Sequence, residues 1–232
     1  MGEELVSASG DSKIRIDLQV TCRDMELSVV SGEIKGTGGG DRMFVVGAHH
    51  DTCYHTLGGA DNTAGVLNVL ELATQLSRNK PSTNVRFVTF GGEEEGLYGS
   101  EEYFAAHANE LRSRTIMYCN FDMPNVVLSR NNAVTLTTSI NSTIPELEDL
   151  GNRVIASDPA LSKYTMTVEW DDGNWSGSDQ YAFAAAGIDC TNSWGSGNRE
   201  YHTYLDDLSV LNEESGAIGA RVFGSYILGY GA

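Results

Sequence analysis

Positive charge is scarce in this chain: 15 Lys and Arg stand against 32 Asp and Glu among 232 residues, a formal net charge of −17. A nucleic-acid binder needs a basic face to neutralise phosphates, so that class is excluded. The acids are spread rather than blocked, which reads first as a solvated surface and second as an attraction for cationic substrates. Cysteine is sparse as well. Cys22, Cys53, Cys119 and Cys190 lie far apart with no C-x-x-C pair. That spacing excludes a zinc ribbon and a disulfide framework, and Cys119 and Cys190, set in apolar runs, read as core thiols. No apolar run approaches the length of a membrane span, and the opening MGEELVSASGDSK lacks an apolar signal core. What remains is a soluble chain whose 41% hydrophobic content is enough for a sizeable core.

Hydrophobic periodicity orders that core. KIRIDLQV (13–20) and MELSVVSGEIKG (25–36) alternate polar and apolar residues and predict half-buried strands. After a turn at GTGGGD (36–41), the continuous apolar runs RMFVVGAH (42–49), VRFVTFGG (85–92) and TIMYCNFDM (115–123) predict strands buried on both faces. Helical spacing occupies 62–79, 98–114, 142–157, 178–188 and 210–230, with a further short strand in AGIDCTNSW (186–194). Strands alternating with helices predict an α/β fold: a three-layer α/β/α sandwich around a central mixed, mostly parallel sheet, as one domain over 1–232. Such sheets bind ligands beyond the carboxyl ends of their strands. There the sequence places His49 and Asp51, then Glu93 and Glu94, then Asp122.

GAHHDTCYHTLGGADN (47–62) holds three of the five histidines, and GGEEEG (91–96) sets three acids where helix capping needs one. Any single Asp here reads as a cap or turn residue. Several strand-end acids on one edge instead call for a counter-charge, and a metal is the most effective one. His107 lies in a predicted helix and reads as a surface residue. His202, after the Gly-rich SWGSGN, is the better partner for the acids. A set of His, Asp and Glu without cysteine suits zinc with an open position, or a pair of metals. HExxH is absent, which excludes a helix-borne single-zinc protease.

Five ordered motifs carry a resemblance: H-x-D (49–51), G-A-D-N (59–62), E-E-x-G-L-x-G-S (93–100), N-F-D-M (120–123) and Y-H-T (201–203). Over about residues 25 to 230 the chain resembles metallopeptidase family 28, the co-catalytic di-zinc aminopeptidases that include secreted bacterial leucyl aminopeptidases and vacuolar aminopeptidase Y. The resemblance implies a zinc-peptidase (phosphorylase/hydrolase-like) fold, two zinc ions, and substrates that are peptides with a free N-terminus. It assigns His49 and Asp122 to one zinc, Glu94 and His202 to the other, and Asp61 to both. Asp51 would accept the free ring N–H of His49, and Glu93 would be the general base acting with a metal-bridged hydroxide. Tyr201 would steady the oxyanion, and the Asp61–Asn62 peptide would be cis.

Other enzymes of the same fold are the alternatives. A carboxypeptidase would need cationic groups for the substrate carboxylate, and Arg153 and Arg199 fall in no recognised motif. Retention of all five ligand positions argues against a single-zinc glutaminyl cyclase and, with the base present, against a silent peptidase-like binding domain. The family's frequent S-D-H here reads Ser178-Asp179-Gln180, a departure that bears on substrate preference rather than on the metals. Trp170, Trp175 and Tyr181 read either as core or as lining for an apolar side-chain pocket. His50 is expected on the opposite side of the strand from His49, His55 in a solvated loop, and Glu95 near a helix start. Asp206 and Asp207 are expected to cap the last helix. Residues 1–24 resemble the remnant of chain that succeeds a protease-associated insert in larger family members, so the chain is expected to be the catalytic part of a longer, exported precursor. Asn141-Ser-Thr and Asn174-Trp-Ser are formal glycosylation sequons.

Overall fold

The apolar runs ending at His49, Phe90 and Phe121 lie side by side at the centre of one seven-stranded sheet. The computed structural model describes residues 15–21, 24–174 and 177–231. Its strands are β1 (Val29–Ile34), β2 (Met43–His49), β3 (Asn84–Phe90), β4 (Thr115–Phe121), β5 (Ala133–Thr138), β6 (Thr165–Trp170) and β7 (Cys190–Trp194). They are ordered β1-β3-β2-β4-β7-β5-β6. The β3-β2-β4-β7 block is parallel throughout. β1 and β5 join it antiparallel, while β6 runs parallel to β5. The sheet is therefore mixed and mostly parallel, as the pattern predicts.

Alternation along the strands feeds two cores. Phe44, Val46 and Ala48 of β2 face one side, against Val69, Leu72 and Leu76 of α1 (Ala64–Arg78). Leu147 and Val154 of α3 (Ile144–Ser157) and Ile218, Val222 and Phe223 of α5 (Glu213–Gly229) complete that side. Met43 and Val45 face the other way, against Tyr103, Phe104 and Leu111 of α2 (Tyr98–Arg114) and Phe183 of α4 (Gln180–Ala184). Tyr118 stacks on Phe183 with ring centroids 4.0 Å apart. Gly47 leaves room for that ring, since a Cβ there would lie 2.5 Å from the Tyr118 hydroxyl oxygen. Each large side chain buried this way contributes about 1.5–3 kcal/mol, so helices on both faces are the stable answer and the three-layer sandwich holds. At the β1 edge, Arg86 of β3 forms a two-pronged bond to Glu110 of α2 at 2.9 and 2.8 Å and reaches Glu33 of β1 at 2.8 Å.

Two expectations need correction, and two strands were not foreseen. Residues 15–20 of the first predicted strand carry no regular structure, and Ile16, Leu18 and Val20 are exposed; residues 13 and 14 lie outside the described residues. Alternation yields a strand only where an edge accepts it and a core takes one face, and this segment has neither. β5 and β6 escape a pattern search because they are short and rich in Thr, and their pairing is non-local. Four of the five predicted helices also begin later than periodicity alone suggests, while α2 spans 98–114 as expected. The first starts at Ala64 rather than residue 62, after a tight turn over Gly59–Thr63, and the last starts at Glu213. Most of the segment 1–24, including Cys22, lies outside the described residues, as does Trp175. Among the described residues no helix is long and apolar enough to cross a membrane.

Candidate metal centre

The carboxyl ends of β2, β3 and β4 share one edge of the sheet, and each delivers a polar side chain into the same space. His49 is the last residue of β2, Glu93 and Glu94 follow the Gly91-Gly92 turn after β3, and Asp122 follows β4. The loop after β7 returns to bring His202. His49 Nε2 lies 3.2 Å from Asp61 Oδ1, 3.5 Å from Asp122 Oδ1 and 4.0 Å from Glu93 Oε2. His202 Nε2 lies 2.9 Å from Glu94 Oε2 and 3.3 Å from Asp61 Oδ2. The two oxygens of Asp61 thus face two different histidines.

Long-range hydrogen bonds hold this geometry. Asp206 accepts the main-chain N–H of Ala60 at 2.7 Å and of Asp61 at 3.1 Å. Asn62 Oδ1 accepts from Gly65 N–H at 2.9 Å and Met123 N–H at 3.2 Å, and its amide donates to the Phe121 carbonyl at 2.8 Å. One side chain therefore opens α1 and ties the Asp61 turn to the Asp122 strand end. Gly65 permits that approach, because a Cβ would stand 2.3 Å from Asn62 Oδ1. The Asp61–Asn62 peptide is cis, as the family resemblance implies. His49 Nδ1 lies 3.2 Å from the main-chain oxygen of Asp51 and 3.6 Å from its carboxylate. The carbonyl is thus the nearer acceptor, while Asp51 Oδ2 accepts the N–H of Glu94 at 3.2 Å.

Crowded carboxylates in a dehydrated cleft disfavour their own charges. Burial, with Asp122, Asp179 and Glu94 close by, pushes Glu93 up to about 9 against the pull of His49. Burial and Asp61 push Glu94 up to about 7. Burial also works against a charge on His49, yet Asp122, Asp51 and Asp61 around the ring hold its pKa well above the ordinary value. For Asp51, burial is outweighed by the His49 ring and the main-chain N–H groups of Glu94 and Glu93, which bring it to about 2. Among the described residues, His49 Nε2 and Asp51 Oδ1 are buried without a hydrogen-bond partner, and a buried imidazole nitrogen facing three carboxylates is what a cation site presents. The donors fall into three overlapping groups whose ligand atoms lie within 4.8 Å of one another: His49, Asp61 and Asp122; His49, Glu93 and Glu94; and Cys53, Glu94 and His202. Imidazole and carboxylate together fit a divalent cation of the zinc class.

The remaining expected residues scatter. His50 turns away to the Thr89 hydroxyl at 3.1 Å, His55 sits exposed in its loop, and His107 is exposed on α2 as expected, its ring against Tyr103. Glu95 lies in the turn before α2 rather than inside the helix. Asp207 caps a short turn at Ser209, and Asn212 rather than Asp206 caps α5, accepting from Ser215 N–H at 3.2 Å. Arg153 pairs with Asp149 along α3, and Arg199 is exposed. Trp170 cannot line a pocket at this centre. It ends β6, which runs against β7, so it lies at the opposite edge of the sheet and is exposed. Tyr181 is half-buried on α4. Tyr201 stacks on His202 with ring centroids 3.6 Å apart. Burial and the carboxylates of Asp61, Glu94, Asp122 and Glu93 push its phenol up to about 12. Gln180 belongs to a buried network in which Asn120 donates to the Ser178 hydroxyl at 2.9 Å and to Gln180 Oε1 at 3.0 Å. Sequence reading missed Asp206 and Cys53 as members of the centre, and nothing local in either marks it.

The sequence pattern of peptidase family M28 matches residues 29–226. The chain belongs to this family. Within M28 it is 33% identical over 117 residues to an aminopeptidase of Pseudomonas aeruginosa, covering 50% of this chain and 22% of that protein. It is 27% identical over 175 residues to aminopeptidase YwaD of Bacillus subtilis, covering 73% of this chain and 37% of that protein. The fold superimposes on a zinc aminopeptidase from Bacillus subtilis with a TM-score of 0.72 at 22% identity, covering 88% of this chain and 51% of that one. An aminopeptidase from Aneurinibacillus sp. strain AM-1 gives a TM-score of 0.65 at 27% identity, covering 84% and 47% of the two chains. The M28 chain thus spans about half the length of its structural neighbours and less of its curated relatives.

Proposed function

We propose that this M28 chain is a zinc-dependent aminopeptidase that holds two cations and removes N-terminal residues from peptides with a free N-terminus. The observation that carries the reading is the division of Asp61: one oxygen faces the His49 and Asp122 group, the other the His202 and Glu94 group. A single carboxylate so placed suits a bridge between two ions. Relatives named aminopeptidases support the reaction class. His49, Asp61 and Asp122 would hold one ion, and Glu94, His202 and Asp61 the other. When bound, the pair supplies Lewis acidity at the scissile carbonyl and makes the attacking water more acidic.

The chain's own groups do the rest. Glu93 is a largely buried carboxylate whose Oε2 lies 4.0 Å from His49 Nε2, beside the donors of both groups. It takes a proton from the attacking water and delivers it to the nitrogen of the leaving amine. Tyr201 keeps its proton through the neutral range and donates a hydrogen bond to the developing oxyanion. Asp51 aligns His49 on one side and Glu94 on the other. Hydrolysis of aminoacyl-nitroanilides with free and acetylated amines, before and after chelation, tests the proposal. Cleavage of only the free-amine substrate, lost with chelator and restored by zinc, is expected. Equal cleavage of blocked substrates overturns it, and C-terminal trimming points to the carboxypeptidase.

A further inference from the structure

The donor set expected from the motifs contains no sulfur, yet Cys53 lies among the ligand atoms. Its Sγ, a carboxylate oxygen of Glu94 and a ring nitrogen of His202 all fall within 4.8 Å of one another. At the usual zinc bond lengths, atoms sharing one tetrahedral zinc stand roughly 3.3–3.8 Å apart. A small inward movement therefore converts this group into a coordination shell. The backbone is already positioned for it. Cys53 N–H donates to Glu94 Oε1 at 2.9 Å, leaving Oε2 to face His202. The Cys53 carbonyl accepts from Thr56 N–H at 3.1 Å, closing a turn that the Thr52 and Thr56 hydroxyls brace. Cys53 is a free thiol and is half-buried, whereas Cys119 and Cys190 are buried in the core.

We infer that the Cys53 thiolate is an additional ligand in the Glu94 and His202 half of the centre, for a cation of the zinc class. The inference rests on the two-cation reading above. Binding breaks the S–H bond, forms a sulfur–metal bond and releases the proton to solvent. A soft thiolate on one half alone makes the halves chemically unequal: the Cys53 half favours zinc or cobalt over magnesium or calcium more strongly than the His49 and Asp122 half.

Cobalt(II) added to the chelator-treated protein reads this directly. Visible d–d bands report occupancy of the centre, and a near-ultraviolet thiolate-to-cobalt charge-transfer band reports sulfur ligation. Both are expected in the native chain. Cys53→Ser should keep the d–d bands and lose the charge-transfer band. Peptide mapping after iodoacetamide treatment should also show Cys53 alkylated at least about tenfold more slowly with zinc bound, since the metal-held thiolate is no longer free to attack. Visible bands without charge transfer overturn the Cys53 assignment and leave the two-cation reading standing. Persistence of the charge-transfer band in Cys53→Ser assigns the sulfur elsewhere and overturns it as well. Slower alkylation without the band is shielding only, and also overturns it. No cobalt bands at all remove both readings together.

Discussion

Asp206 holds Asp61 from 145 residues away, its Oδ2 accepting the Asp61 N–H at 3.1 Å while Oδ1 accepts that of Ala60 at 2.7 Å. The residue that faces both histidines is therefore aimed by a carboxylate that faces neither. Burial, partly offset by those two N–H groups, raises the pKa of Asp206. Asp206→Ala should lower zinc affinity about 10–100-fold, the usual cost of removing a group that orients a ligand. Competition with a chromogenic chelator measures it. Asp206→Asn, which keeps one acceptor oxygen, should fall between. Unchanged affinity in both variants would contradict the positioning role.

Glu93→Gln tests the separation of chemistry from binding. The amide keeps the size of the side chain and cannot take a proton, so turnover should fall about 10²–10⁴-fold. Metal content by mass spectrometry should stay near that of the native protein. Loss of metal together with turnover would move Glu93 from base to ligand.

Metal removal should show in stability as well as activity. Without a cation, the carboxylates of Asp61, Glu93, Glu94 and Asp122 face one another around His49. Free zinc at one hundred times Kd adds about 2.7 kcal/mol per site, which raises Tm by roughly 5–11 °C for a chain of this size. Scanning calorimetry with zinc and with chelator checks the shift, and coincident Tm values would argue against cation binding by the native state.

At the far edge, Glu33 predicts an acid-sensitive seam. Burial would raise this carboxyl, but Lys35 and Arg86 outweigh it and bring it from the ordinary 4.5 to about 2. Its folded pKa is depressed, so its contribution is present above about 4.5 and lost as pH falls towards 2. Glu33→Gln should lower Tm at pH 6 and have little effect near pH 2. A deficit of equal size at both values would assign the loss to packing instead of charge.

The alternation of strands and helices, the two-faced central strands and the polar residues at their carboxyl ends were legible because periodicity and short motifs are local properties of a chain. The same alternation separates His49 from His50 at the end of β2. Tertiary pairing decided the rest. Residues 15–20 alternate like a strand but pair with no strand among the described residues, while the Thr-rich β5 and β6 become strands because partners are present. The reversed direction of β6 sends Trp170 to the wrong edge, and Asp206 reads as a helix cap until the fold brings it to Asp61. Cys53 looked like one more isolated thiol. By sequence alone the chain specified which residue types meet at the strand ends. Their orientation depends on hydrogen bonds between segments roughly 40 to 150 positions apart, such as Cys53 to Glu94 and Ala60 to Asp206, which exist only once the loops have closed.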